Sequence, residues 1–240
     1  MDKNNKIVSA IIVAGVIIAG AILLRGSKPS TTEKAGIPVT TATLAPVDKT
    51  DMTLGNPQAK VTLIVYEDFQ CPFCGAISGT NQEVIKYLKG RDATWEPFMP
   101  KVMDYVKDGK VFLVFRDFPF LGPESIRSSE AARCAFDQGK FWEYHDYLFS
   151  HQNGENKGNF SDQNLKNFAK ELKLNSISFD KCLDDKKYEK LVTDIKASGE
   201  EAGVRGTPKG FILKDGKIAG TIDGAESFTT VKQKLDNALK

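Results

Sequence analysis

The β-prone run VTLIVY (Val61 to Tyr66) leads almost directly into Cys71-Pro72-Phe73-Cys74, two thiols three positions apart. A strand that ends in CxxC and passes into a helix puts its first sulfur at the helix N-terminus. There, unpaired N–H groups and the positive end of the helix dipole favour a thiolate. Pro72 suits the first helical turn, where a missing N–H has no partner to lose. A thiolate within reach of a second thiol is the minimum apparatus for thiol–disulfide exchange. Half of a zinc site is the competing reading, but no second CxxC or CxxH follows at ligand spacing. Haem attachment would need His at position 75, where Gly75 stands. Redox chemistry is the reading the motif favours, with no metal.

Ile7 to Leu24 carries no charge and is apolar almost throughout. As a helix it would be about 27 Å long, close to the thickness of a bilayer's hydrocarbon core. Lys3 and Lys6 precede it and Arg25 and Lys28 follow, so flanking charge does not set its orientation. A cleaved signal peptide competes with an anchor. The run is longer than an ordinary signal core, no small-x-small site follows Leu24, and no nearby Cys invites lipoprotein processing. Residues 1–25 are therefore expected to be an uncleaved anchor. Residues 26–52, rich in Thr, Ser, Pro and Ala, are expected to be a flexible linker, and residues 53–240 the folded domain. Export would place that domain where disulfides persist. Lys plus Arg number 33 against 31 Asp plus Glu, so no basic footprint points to nucleic acid.

Within the domain, Val61–Tyr66 and Val111–Phe115 have the composition of strands buried on both faces. A helical stretch begins at the CxxC and is followed by a long connection, Gly90 to Pro100. Trp95, Phe98 and Met99 in that connection could pack in the core or line a substrate groove. Helical periodicity then recurs at Phe141/Tyr144/His145/Leu148, at Leu165/Phe168/Ala169/Leu172 and at Tyr188/Leu191/Val192/Ile195. FIL and IAG flank Asp215-Gly216, a dipeptide suited to a type I′ hairpin turn. A final amphipathic helix carries Phe228, Val231, Leu235 and Leu239. The order β-α-β, helical block, β-β-α is that of an α/β thioredoxin fold with an inserted helical subdomain at about 123–200.

Several segments, GNPQAKVTLIVYEDFQCPFC (Gly55 to Cys74), FRDFPF (Phe115 to Phe120), AARCAFDQGKFWEYHDYLF (Ala131 to Phe149), FDKCL (Phe179 to Leu183) and GVRGTP (Gly203 to Pro208), together resemble the DsbA-like thiol–disulfide oxidoreductases, in particular their membrane-tethered branch. The resemblance implies a redox-active Cys71–Cys74 pair and a cis bond at Thr207-Pro208 beside it. It also implies a re-oxidising membrane partner. Cis peptides are almost confined to X-Pro, and the Thr207 backbone at a strand start could pair with an extended substrate. Phe73 departs from the strongest oxidants of the family, which carry His there. Phe cannot donate to the Cys71 thiolate, so a less oxidising disulfide is expected. Lys209-Gly210 also depart, standing where many relatives continue with an apolar strand.

Cys134 and Cys182 remain, in separate helical patterns. They are expected either to form a structural disulfide, worth about 4 kcal/mol in the chain-entropy model, or to be two buried thiols. Glu67 and Asp68 precede the CxxC. Either could shuttle the proton of Cys74, or they could be exposed acids at a strand end. His145 shares a face with Phe141 and Leu148 and reads as a buried structural imidazole, and His151 opens a polar loop.

The expectation is a monomeric, single-pass cell-membrane oxidoreductase with its catalytic domain outside. It would introduce disulfides into exported cysteine-containing proteins without a cofactor. A reductase or isomerase of the same fold and a tethered peptide-binding chaperone are the alternatives; the intact CxxC argues against the last.

Overall fold

The computed structural model describes residues 43–240. The expected anchor, and the expected linker as far as residue 42, lie outside the described residues. Among the described residues no helix is long and apolar enough to cross a membrane.

Five strands, β1 (Met52–Leu54), β2 (Val61–Glu67), β3 (Val111–Asp117), β4 (Lys209–Lys214) and β5 (Lys217–Asp223), form one sheet in the order β1-β3-β2-β4-β5. Only β2 and β3 run parallel, in register from Val61 opposite Val111 to Glu67 opposite Asp117. Their side chains alternate between faces. Val61, Leu63 and Val65 join Val111 and Leu113 under α1 (Pro72–Ile77), α2 (Gln82–Arg91), α3 (Met99–Lys107) and the C-terminal α9 (Phe228–Leu239). Ile64, Tyr66 and Val114 turn to the other face, against Phe118, Val204 and Phe211. Burial on both faces explains why these two strands are apolar up to their last residues, with Thr62 the exception, before Glu67 and Arg116-Asp117 close them.

Three helices, not one and an irregular connection, separate β2 from β3. Pro100 sits in the first turn of α3, where its ring and missing N–H are harmless, so it starts this helix rather than breaking it. Trp95, Phe98 and Met99 are buried in the core, and Trp95 Nε1 donates to the Ala225 carbonyl at 2.9 Å. They join the middle of the chain to its C-terminal helix.

The helical insert comprises α4 (Pro123–Phe136), α5 (Phe141–Ser150), α6 (Asp162–Glu171), α7 (Ser176–Asp184) and α8 (Glu189–Glu201). Helices α4 to α7 share a core with Met52, Phe69, Phe115 and the two CxxC sulfurs. The β4–β5 turn is made by Asp215 (φ 50°) and Gly216 (φ 76°), both left-handed as a type I′ turn requires. Lys209 and Gly210 do not delay the strand: they pair with Tyr66 and Val65, so β4 starts directly after Pro208. Gly210 allows that approach, since a Cβ there would lie 3.0 Å from Ile222 Cβ.

The linker expected to run to residue 52 stops earlier. Met52 is buried in β1, paired with Phe115. Arg116 fastens the residues before it, donating to the carbonyls of Ala45 and Pro46 (both 3.0 Å), to both Asp51 carboxylate oxygens (2.7 and 2.9 Å) and to the Tyr66 hydroxyl. A buried guanidinium needs that many acceptors to offset its lost hydration.

Candidate active site

Cys71 caps the start of α1, and Gly75 N–H bonds back to its carbonyl at 3.1 Å. Both CxxC sulfurs are free thiols, with Cys71 3 % exposed and Cys74 fully buried. The Cys71 thiol donates to the Thr207 carbonyl at 3.3 Å, and the Thr207–Pro208 bond is cis. The start of β4 and the start of α1, more than a hundred residues apart in sequence, thus meet at one sulfur.

The two thiols are pushed in opposite directions. Cys71 is pulled down to about 7, chiefly by the hydrogen bond it receives from Cys74. The Thr207 side chain and the N–H groups of Cys74 and Phe73 act the same way, against the cost of burial. Cys74 is driven well above the usual thiol range by burial, then by the Cys71 sulfur and the charge of Glu67. One sulfur is set up to carry charge near neutrality and the other to keep its proton, the split expected of an attacking and a resolving thiol.

Gln152, at the start of the loop after α5, braces this arrangement and carries no sequence signal of doing so. Its Nε2 donates to the carbonyls of Phe69 (2.8 Å) and Cys71 (2.9 Å), and its Oε1 accepts from Asn81 Nδ2 at 3.2 Å. Gly75 makes room for it: a Cβ at that position would lie 2.2 Å from Gln152 Oε1.

Glu67 and Asp68 are not exposed strand-end acids; both are buried. Their roles separate. Asp68 accepts from the N–H groups of Gln70 (2.8 Å), Phe120 (2.9 Å) and Leu121 (3.2 Å), tying the loop before the CxxC to the segment before α4. Glu67 has no hydrogen-bond partner on either oxygen. Burial first, then the Cys71 charge, then Asp146, raise it to about 8. It is the carboxyl that responds to the thiols. His145 is buried, as its helical face implies, and its Nε2 lies 4.0 Å from Glu67 Oε2. His151 stacks on Tyr147 with ring centroids 3.9 Å apart.

Cys134 and Cys182 are joined by a disulfide between α4 and α7. Among the described residues, no cluster of three or more His, Cys, Asp or Glu could hold a metal ion.

The family sequence model described as Thioredoxin matches residues 47–89 and 93–237. The chain belongs to the thioredoxin family. A probable disulfide bond formation protein D of Bacillus anthracis is 26 % identical over 197 residues, covering 80 % of this chain and 79 % of that one. Among solved structures, oxidised BdbD of Bacillus subtilis superposes with a TM-score of 0.66 at 20 % identity, covering 81 % of this chain and 95 % of that chain. Alpha-DsbA1 of Wolbachia pipientis gives 0.64 at 23 % identity, covering 82 % and 94 %. Within the thioredoxin family this chain is thus a protein thiol–disulfide oxidoreductase whose fold, with its helical insert, is similar to that of the BdbD and alpha-DsbA1 structures.

Proposed function

We propose that the chain is a membrane-anchored, extracytoplasmic oxidoreductase that donates the Cys71–Cys74 disulfide to exported proteins. The observation that carries the reading is the opposed titration of two adjacent thiols, the lower one seated on the Thr207 carbonyl. A substrate thiolate attacks Cys71, and the Cys71–Cys74 bond breaks toward Cys74, which takes a proton. A second substrate thiolate then attacks the substrate sulfur of the mixed disulfide and releases Cys71 as thiolate. The substrate loses two electrons and the site gains them; a membrane partner removes them in turn. Glu67, the unpaired carboxyl beside the sulfurs, supplies and takes back the Cys74 proton.

Thr207 and Pro208 position the substrate. They share a groove of about 380 Å³ with Phe120, Arg205, Lys209 and Asp223. A strand laid there would run beside Thr207 toward Cys71. The extracytoplasmic placement rests on the apolar segment 7–24 and on the Cys134–Cys182 disulfide, which persists in oxidising compartments. The direction of transfer leans on the B. anthracis relative, named for disulfide bond formation.

One observation favours a reductase or isomerase instead. A Cys71 near 7 matches the weakly shifted thiol of a reducing thioredoxin, not the about 3.5 of the strongest oxidants. Equilibration with glutathione buffers separates the readings. A couple at or above about −180 mV supports donation, and one near about −270 mV transfers the case to the reductase. Cys74→Ser should accumulate a mixed disulfide between Cys71 and a cysteine peptide; failure to trap any would overturn the exchange mechanism itself.

A further inference from the structure

Three buried polar atoms below the thiols have no hydrogen-bond partner: both carboxylate oxygens of Glu67 and Nε2 of His145. They face one another, 4.0 Å apart at the nearest pair. The imidazole is enclosed by Phe69, Phe115, Phe141, Trp142 and Phe149, with ring centroids 4.9–5.8 Å away. No other acceptor or donor reaches Nε2 through that wall among the described residues. On its other side, Nδ1 lies 2.9 Å from Asp146 Oδ1. The Asp146 side chain is 77 % exposed. His145 and Asp146 line a cavity of about 560 Å³ between α5 and α3, to which the turn after α1 contributes only Ser78 and Thr80 and α3 only Met99, Pro100 and Met103. The sole other charged group lining it is Glu143, on α5 itself. A line of titratable groups therefore runs from Cys74 through Glu67, His145 and Asp146 to the surface. A histidine kept only for packing would have no need to leave Nε2 bare against a bare carboxyl, since unpaired buried polar atoms are costly.

We propose that His145, oriented by Asp146, is the proton exit of this site and carries the Cys74 proton from Glu67 to solvent. The inference rests on the exchange reading above and adds its proton path. Nδ1–H donates to Asp146, which leaves the Nε2 lone pair toward Glu67. When Cys71 is taken into a mixed disulfide its charge disappears, and with it one of the causes holding a proton on Glu67. The Glu67 proton passes to Nε2 while Nδ1 releases its own through Asp146 to water. The carboxylate so formed takes the proton of Cys74. The Cys74 thiolate then attacks Cys71, closing the disulfide and expelling the partner as thiolate. Disulfide donation runs the same path backwards. The 4.0 Å gap closes to transfer distance, about 2.6–3.2 Å, by a small side-chain rotation or through one water. His145 acts through Glu67 and touches no substrate, so it is a positioning residue.

The test uses the full reduced chain mixed rapidly with oxidised glutathione, quenched in acid and weighed, so that conversion of the Cys71–glutathione adduct to Cys71–Cys74 is timed directly. His145→Gln should slow closure about tenfold or more near pH 6.5, and Asp146→Asn severalfold. In both, the rate should climb with hydroxide concentration where the native rate levels off. The equilibrium constant with glutathione should stay within about twofold, because a relay alters how a proton travels and not where it ends. Native rates and pH profiles in both variants, or slowing matched by an equal change in the equilibrium constant, would overturn the relay. Asp146→Asn alters an exposed side chain and decides the matter if His145→Gln fails to fold. A native chain that never closes Cys71–Cys74 would bring down the exchange reading itself.

Discussion

Glu67 makes a quantitative demand on stability. A carboxyl that titrates near 8 when folded, against about 4.5 in the open chain, keeps a proton that the unfolded chain has already released. Its folded value is raised, so the stability it contributes is complete below the unfolded value and is lost as pH rises toward 8. Each pH unit in that window costs about 1.4 kcal/mol. Between pH 5 and 7 the loss is about 3 kcal/mol, or about 6–12 °C in melting temperature for a chain of this size. Glu67→Gln cannot release a proton, so the substituted chain should lack this slope. The comparison is best made with Cys74→Ser in both chains, which keeps Cys71 a free thiol without reductant and leaves the Cys134–Cys182 bridge intact. Urea unfolding at pH 5, 6 and 7 should show the chain that keeps Glu67 losing about 3 kcal/mol more than the chain with Glu67→Gln. Comparing slopes cancels whatever the buried amide itself costs. Parallel pH dependence would show that Glu67 is already ionised at pH 5, and the case for it as the proton store of Cys74 would fail.

Brief iodoacetamide treatment of the reduced chain at pH 6.5 should label Cys71 well ahead of Cys74, because one thiol is lowered to about 7 and the other raised; peptide mapping reads the ratio, and equal labelling contradicts the assignment. Replacing Cys134 and Cys182 together by Ala should cost about 4 kcal/mol in urea unfolding, the loop-closure value for a bridge of this span; a change under about 1 kcal/mol would mean that the unfolded chain stays compact without it. Arg116→Met should cost about 3–5 kcal/mol by leaving the Asp51 carboxylate buried without a cation, and residues 45–51 should become protease-sensitive; an unchanged digestion pattern would show that β1 alone holds that segment.

The strands at the centre of the sheet are legible in the sequence because burial on both faces leaves a nearly uninterrupted apolar run, as at Val61–Tyr66. The β4–β5 hairpin is legible because few dipeptides other than Asp215-Gly216 accept two left-handed residues in succession. Helix α3 is hidden for a local reason: Pro100 reads as the close of a connection, whereas in a first turn it opens a helix. β1, three residues long, has too little pattern to show. At the site, the CxxC and the proline opening β4 stand out as motifs, but burial does not. Glu67 looks like any acid after a strand until α5 packs over it, and Gln152 is an ordinary loop glutamine until the fold brings it to the Cys71 carbonyl. Such properties belong to contacts between segments some 80 positions apart, and periodicity within a segment does not record them.

Cys71, Cys74 and Phe69 sit in the same apolar cluster as helices α4 to α7, not in the one on the α9 side of the sheet. The insert is therefore the floor of the reaction chamber, not an annex to a self-sufficient catalyst. Cutting the chain back to a minimal β-α-β-β-α unit would leave the CxxC in place but admit water to Glu67 and Cys74, and with hydration both groups would drift back toward ordinary acidity. The helices that look like decoration on a common scaffold keep Cys74 and Glu67 dry, and so hold up the higher of the two unequal sulfurs.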